Sequence, residues 1–322
     1  MKLDAMTRAR ARLAAREACR DYLYDGNVTS IDVGFPEREG SFEPRPAIRF
    51  HVAKKLRGFA LESAFAAGAT APLPAQVGGF ETDVLEGRYR PHWWFPWGWR
   101  PTTASRRLGR SDPLRGGISL SREGGYGAGT LGGIVTDRAS GGPMILSNWH
   151  VLVADWATRP GVAAYQPGRR DGGSSEDRVG AYARDAMASN LDAAVATLDG
   201  KRGHSSEQLD LGRVAGAGEP DLGVRVVKSG RTTAITHGVV TGIDGTAKIR
   251  YGPIDRLIRR VVTIDPVPGS SVVSDGGDSG SLWLDAATRA CVALHFAGSN
   301  LPERALGMDI APVLEALGVD LA

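Results

Sequence analysis

The sequence predicts a mostly β protein: a barrel or sandwich from about residue 113 onward, preceded by a small α/β segment and an N-terminal helix. Forty-three glycines against 7% aromatic residues imply many tight turns. From 113 to 299, short apolar runs alternate with Gly, Asp and Ser turns, and "APVLEALGV" closes the chain as a helix. At 322 residues the chain exceeds what one core usually serves, so two or three compact units are expected.

Residues 5–25 scatter Ala, Leu and Met among Arg and Glu as an amphipathic helix does, and Asp25-Gly26-Asn27 ends it. "VTSIDVGF" (28–35) and "PAIRFHVAKKL" (46–56) alternate as strands, "LESAFAAG" (61–68) suits a short helix, and "ETDVLEG" another strand. The expected organisation is a helix at 1–25, a small α/β domain at 26–90, a linker at 91–112 and a β domain at 113–322. The stretch 88–110 holds six arginines, four tryptophans and no acidic residue. Arginine beside tryptophan could stack on nucleic acid, but Pro91, Pro96 and Pro101 interrupt it, and docking between domains is the favoured reading. "GYGAGTLGG" (125–133) mimics a dinucleotide fingerprint yet runs into a strand, where a phosphate site needs a helix N-terminus.

A net charge of +3 is too small to argue for a nucleic-acid or membrane partner. The N-terminal residues lack the apolar stretch of a signal peptide, so a cytoplasmic protein is expected. Cys19 and Cys291, one near each end, suit a reducing compartment. No metal-ligand spacing occurs among Cys and His; His51, His92, His204 and His237 read as surface or packing residues, and no cofactor is expected.

Three segments carry chemistry. "ILSNWHVLV" delivers His150, "NLDAAVATL" sets Asp192 inside an apolar run, and "SDGGDSGSLW" puts Ser279 in a glycine-rich turn. Each alone has a plain structural reading. Together they suit nucleophilic catalysis: imidazole takes the hydroxyl proton, a buried carboxylate fixes its tautomer, and a glycine turn aims amides at an oxyanion.

In that order, "LSNWH", "NLDAAVA" and "GDSGS" resemble the chymotrypsin/trypsin superfamily of serine peptidases over residues 113–322. "VKSGRTTAITHGVVTGI" (227–243) resembles the second-barrel hairpin of its bacterial secreted members. The segment before it resembles the domain preceding the peptidase in bacterial proteins of the NARROW LEAF 1 type. The resemblance implies two antiparallel six-stranded β-barrels with a C-terminal helix. It implies Ser279 as nucleophile, His150 as general base and acid, Asp192 as orienting carboxylate, and the amides of Gly277 and Ser279 as oxyanion hole. Asp278 would brace the loop, against a new N-terminal amine after a cut at Arg115-Gly116 or against a side chain such as an arginine.

The position six before the serine, an acid in trypsin-like specificity, is Val273, and Asp275 is off-pattern, so cleavage after Lys or Arg is not expected. "ALHFAG" would form one wall of the primary pocket, with His295, Phe296, Ala297 and Gly298, and pair with the substrate backbone. It resembles the wall of glutamyl endopeptidases, in which a histidine and a nearby Ser or Thr hold the substrate carboxylate; Ser274 matches the second element. A preference for Glu or Asp before the scissile bond is expected, against the plain alternative that His295 only packs. The partner is then a protein or peptide substrate. Two alternatives are a catalytically silent peptide-binding module, and a peptidase gated by a regulatory partner or nucleic acid through the N-terminal domain or linker.

Overall fold

Asp4 caps the first helix, α1 (Ala5–Tyr22), by accepting the Thr7 amide proton at 2.9 Å. The buried side of α1 is Ala11, Ala14, Ala15 and Ala18, spaced i, i+3, i+4, i+7. These methyl groups let the helix lie close on β1 (Val28–Gly34) and β2 (Ala47–Val52). A computed structural model describes residues 2–38, 41–91 and 106–322. His92 and the linker residues Trp93, Trp94, Trp97 and Trp99 fall outside the described residues, and so does the expected docking role of that stretch.

After β2 come the helix α2 (Gly58–Ala66), then β3 (Phe80–Glu86), parallel to β2, and a two-residue strand, β4 (Arg90–Pro91). The β-rich part of the chain begins with β5 (Ile118–Arg122), β6 (Gly129–Leu131), β7 (Gly133–Asp137) and β8 (Pro143–Ser147), then one helical turn, α3 (Trp149–Leu152). β9 (Ala163–Tyr165), β10 (Arg178–Asp185) and β11 (Ala194–Leu198) complete its first part. The second part contains β12 (Arg225–Gly230), β13 (Ala234–Tyr251), β14 (Ile254–Pro266), β15 (Leu282–Asp285), β16 (Cys291–Asn300) and β17 (Glu303–Asp309). Helix α4 (Ile310–Leu317) and β18 (Val319–Leu321) end the chain.

The strands form two large sheets, as the mostly β expectation requires. In the second, β12-β15-β16-β17-β14-β13 pair in sequence and β13 pairs back onto β12, closing a six-stranded barrel. The first runs β6-β5-β9-β10-β11-β8-β7-β18. The C-terminal strand joins its edge, Val135 opposite Leu321, because Gly318 at φ 63° turns the chain back after α4.

Residues 26–90, read from sequence as a domain of their own, share both a sheet and a core with the second barrel. β13 is long enough to pair with β12 through residues 234–239 and with β1 through 242–247. Ile31 and Phe50 pack in one cluster with Val240, Ile264 and Trp283. Asp32 secures the seam: Arg49 grips it at 2.7 Å through two nitrogens, Thr263 of β14 donates at 2.7 Å, and His51 Nε2 lies 3.3 Å away. Burial raises the Asp32 pKa, but Arg49 and His51 outweigh it and hold the carboxyl far below its usual range. His51, bonded through Nδ1 to Tyr89 at 2.6 Å, is a packing residue as expected. Cys19 and Cys291 are free thiols, and no helix among the described residues is long and apolar enough to cross a membrane.

Candidate active site

The turn α3 follows β8, so its first residues sit at a sheet edge facing the loop between β10 and β11. There His150 meets Asp192. The amide of His150 donates to Asp192 Oδ1 at 3.1 Å, and Nδ1 lies 2.5 Å from Oδ2. Asn148 fixes the same loop by donating to the Asp192 carbonyl at 2.7 Å. Asp192 is fully buried, and one more donor reaches it: the Tyr251 hydroxyl, 2.6 Å from Oδ2. With Nδ1 bonded to the carboxylate, the imidazole proton belongs on that side, leaving Nε2 as the base; Nε2 has no hydrogen-bond partner among the described residues.

Tyr251 was not legible in the sequence. It lies at the far end of β13, and the β13–β14 hairpin carries it back to the first sheet. Burial and the Asp192 charge push its pKa up, so it stays a donor. Tyr251→Phe is expected to lower kcat/KM about tenfold, since one charge-assisted hydrogen bond to the orienting carboxylate is lost. A shifted acidic limb in the pH–rate profile, with unchanged KM, separates positioning from packing.

Ser279 lies between Gly277 and Gly280, both at φ 97°, a backbone conformation that side chains resist. At Gly280 a Cβ would also stand 2.2 Å from the Thr130 carbonyl, so only glycine permits this approach of the two sheets. Thr130 stitches them further: its amide donates to the Ser279 carbonyl at 2.7 Å and its hydroxyl to the Gly277 carbonyl at 2.8 Å. The amides of Gly277 and Ser279 donate to no described residue, as an oxyanion site requires. The Ser279 hydroxyl points to the Phe296 carbonyl at 3.3 Å rather than to His150. No hydrogen bond joins Ser279 to His150 among the described residues.

The brace is internal. Asp278 accepts from Lys228 Nζ at 2.8 Å, from the amides of Thr232 and Thr233 at 2.9 and 3.0 Å, and from the Thr233 hydroxyl at 2.6 Å. Burial raises its pKa, yet Lys228 and the hydrogen bonds prevail and hold it well below the usual range. The side-chain partner is a lysine rather than an arginine. Arg115-Gly116 lies in a strand at 114–116 paired with His204–Gln208, and Asp278 needs no new chain terminus.

The expected pocket residues are only partly assembled. Ala297 and Gly298 pair with Pro91 and Arg90 of β4, so a piece of the chain itself lies on the edge expected to hold substrate. Phe296 turns its ring into the main core. His295 is fully buried, its Nδ1 3.5 Å from Trp283 Nε1 and its ring edge-on to that indole. Val273 and Ser274 meet a residue that sequence reading missed: Glu303 Oε1 accepts both their amides, at 2.8 and 3.2 Å. Burial raises the pKa of Glu303 and of Asp275; the Asp275 charge adds to the first and the Asp278 charge to the second. Ser274 Oγ is buried without a partner among the described residues. Beside His150 opens a cleft of about 420 Å³, lined by the loop 124–129, Val151 and Arg170, so the glycine run that mimicked a dinucleotide motif shapes the site. Among the described residues no cluster of His, Cys, Asp and Glu is placed to hold a metal ion.

No family model matches the chain, and no curated protein matches it. Solved structures do. A Nocardiopsis protease is 19% identical over 64% of this chain and 97% of its own, with a TM-score of 0.49. A chymotrypsin of Cellulomonas bogoriensis is 20% identical over 65% and 97%, with a TM-score of 0.47. A glutamic acid specific serine protease, described as using a histidine triad in substrate binding, is 22% identical over 65% and 100%, with a TM-score of 0.48. The solved structures to which this chain is similar are thus serine proteases of the chymotrypsin/trypsin-like kind.

Proposed function

We propose that this chain is a serine endopeptidase that cleaves peptide bonds through an acyl-enzyme on Ser279. The observation that supports it most is the Asp192–His150 contact at 2.5 Å, with Nε2 left without a partner among the described residues. Ser279 attacks the carbonyl, His150 takes its proton and returns it to the leaving amine, Asp192 and Tyr251 hold the imidazole, and the Gly277 and Ser279 amides receive the oxyanion. A fluorophosphonate is expected to label Ser279 in the folded chain and not Ser279→Ala. Absence of labelling would favour the silent binding module instead.

The charge around Ser274 argues against the expected preference for Glu or Asp. Glu303 holds the Val273 and Ser274 amides, Asp275 follows in the chain, and His295 is engaged with Trp283, so a substrate carboxylate at Ser274 would enter as a third acid. Glu303 comes from β17, outside the residues by which specificity is read from sequence. In a peptide panel varied only before the scissile bond, Glu is expected to be cut at least tenfold more slowly than Lys or Ala, about 1.4 kcal/mol in the barrier. Glu303→Gln should narrow that gap; an unchanged preference for Glu would defeat this reading.

A further inference from the structure

Arginine recurs at every fourth position of α1: Arg8, Arg12, Arg16 and Arg20. Four residues advance a helix by about 6 Å, so the guanidinium stems form one row. Like charges so placed weaken a helix by roughly 0.2–0.5 kcal/mol per pair, and a counter-charge is needed. The fold supplies it at one end only. Arg8 reaches Asp221 at 3.1 Å, and Arg12 reaches Asp244 at 2.9 Å. Asp244 is shared with Arg260 of β14 at 2.7 Å, and Arg260 also contacts Asp309 at 2.5 Å. Among the described residues Arg20 pairs only with its chain neighbour Asp21. Arg16, and Arg259 of β14, make no ion pair with any described residue, and both are exposed.

These side chains enclose a cleft of about 590 Å³ between α1 and the β13–β14 hairpin, five arginines with Asp244 as the lone acid among its lining. That volume suits a small-molecule ligand. Arg260 holds its place there at φ 59°, a conformation costly to any residue but glycine. Tyr24, 78% exposed, also lines the cleft just past the end of α1.

We propose that this cleft binds a linear oligophosphate, whether an inorganic chain or the phosphates of a nucleoside triphosphate. Guanidinium groups grip phosphate oxygens in pairs. A row spread over about 12 Å from Arg12 to Arg20 matches charge distributed along a line better than a single phosphate. In the nucleotide case Tyr24 offers a ring on which a base can stack.

Isothermal titration of the full chain with tripolyphosphate, orthophosphate and ATP tests this. Saturable one-to-one binding of tripolyphosphate is expected, at least tenfold tighter than orthophosphate and weaker at high salt. The double variant Arg16→Gln/Arg259→Gln should lose at least tenfold. Arg10→Gln, which removes an α1 arginine outside the cleft, should bind as wild type. A further gain for ATP that disappears in Tyr24→Ala identifies the nucleotide, and equal affinities identify the inorganic chain. The exposure of Arg16 and Arg259 makes the variants readable, with an unchanged unfolding transition in the absence of ligand as the control. No saturable binding, equal affinity for orthophosphate, or a double variant that binds like wild type overturns the proposal.

Discussion

Asp192→Asn is expected to lower kcat/KM for a peptide substrate about 10⁴-fold while the chain stays folded. The substitution keeps the shape of the side chain, and an amide oxygen at the Oδ1 position still accepts the His150 amide. The amide nitrogen then stands where Oδ2 receives both His150 Nδ1 and the Tyr251 hydroxyl. As a donor it demands a lone pair from Nδ1, which moves the imidazole proton to Nε2. The base then faces Ser279 already protonated. Steady-state kinetics beside the rate of fluorophosphonate labelling measure this, and both should fall together. A loss under tenfold would mean that Asp192 merely packs.

Lys228→Met is expected to cost about 3–5 kcal/mol of stability at neutral pH, because a buried carboxylate loses its cation. Met fills similar space beside Trp283, over which the Lys228 ammonium now sits at 5.5 Å. Asp278 would keep its hydrogen bonds from Thr232 and Thr233 but not its counter-charge. The pH dependence gives the sign. The folded Asp278 pKa lies below its unfolded value of about 4. Its stabilising contribution is therefore complete above about pH 4 and fades as pH falls through the depressed folded value. Urea unfolding should show a wild-type advantage that is large at pH 7 and shrinks below pH 4. Peptidase activity should fall too, since Asp278 is next to Ser279 in the loop it braces. A difference below about 1 kcal/mol, or one insensitive to pH, would show that Lys228 is not the counter-ion.

Much of the proposed catalytic arrangement was legible because it lies in short segments whose chemistry is local. A histidine after an apolar strand, an aspartate that burial makes expensive and a serine among glycines each signal a constraint within a few residues. Gly277 and Gly280 could be read as special positions, since positive φ excludes most side chains. Tyr251, Lys228 and Glu303 could not be found that way. Each reaches the site across the second barrel, and nothing near it in sequence distinguishes it from an ordinary strand residue. The surroundings of the expected pocket residues were hidden for the same reason. Val273 and Ser274 were visible, whereas the carboxylate that bonds to both comes from a strand some thirty positions away. The separate domain drawn at 26–90 rested on composition, which cannot show that β13 is long enough to hold two partners at once.

The sequence by itself determined the mostly β architecture, the N-terminal helix and the three residues proposed to do chemistry. Periodicity, turn residues and the cost of burying a charge all act over a few neighbouring positions. Only the tertiary structure decided what surrounds those residues: the tyrosine on the aspartate, the lysine on the brace, the acids beside Ser274 and the strand resting on Ala297 and Gly298. Those are matters of which distant groups share a low-dielectric interior, and strand pairing, not local pattern, brings them together.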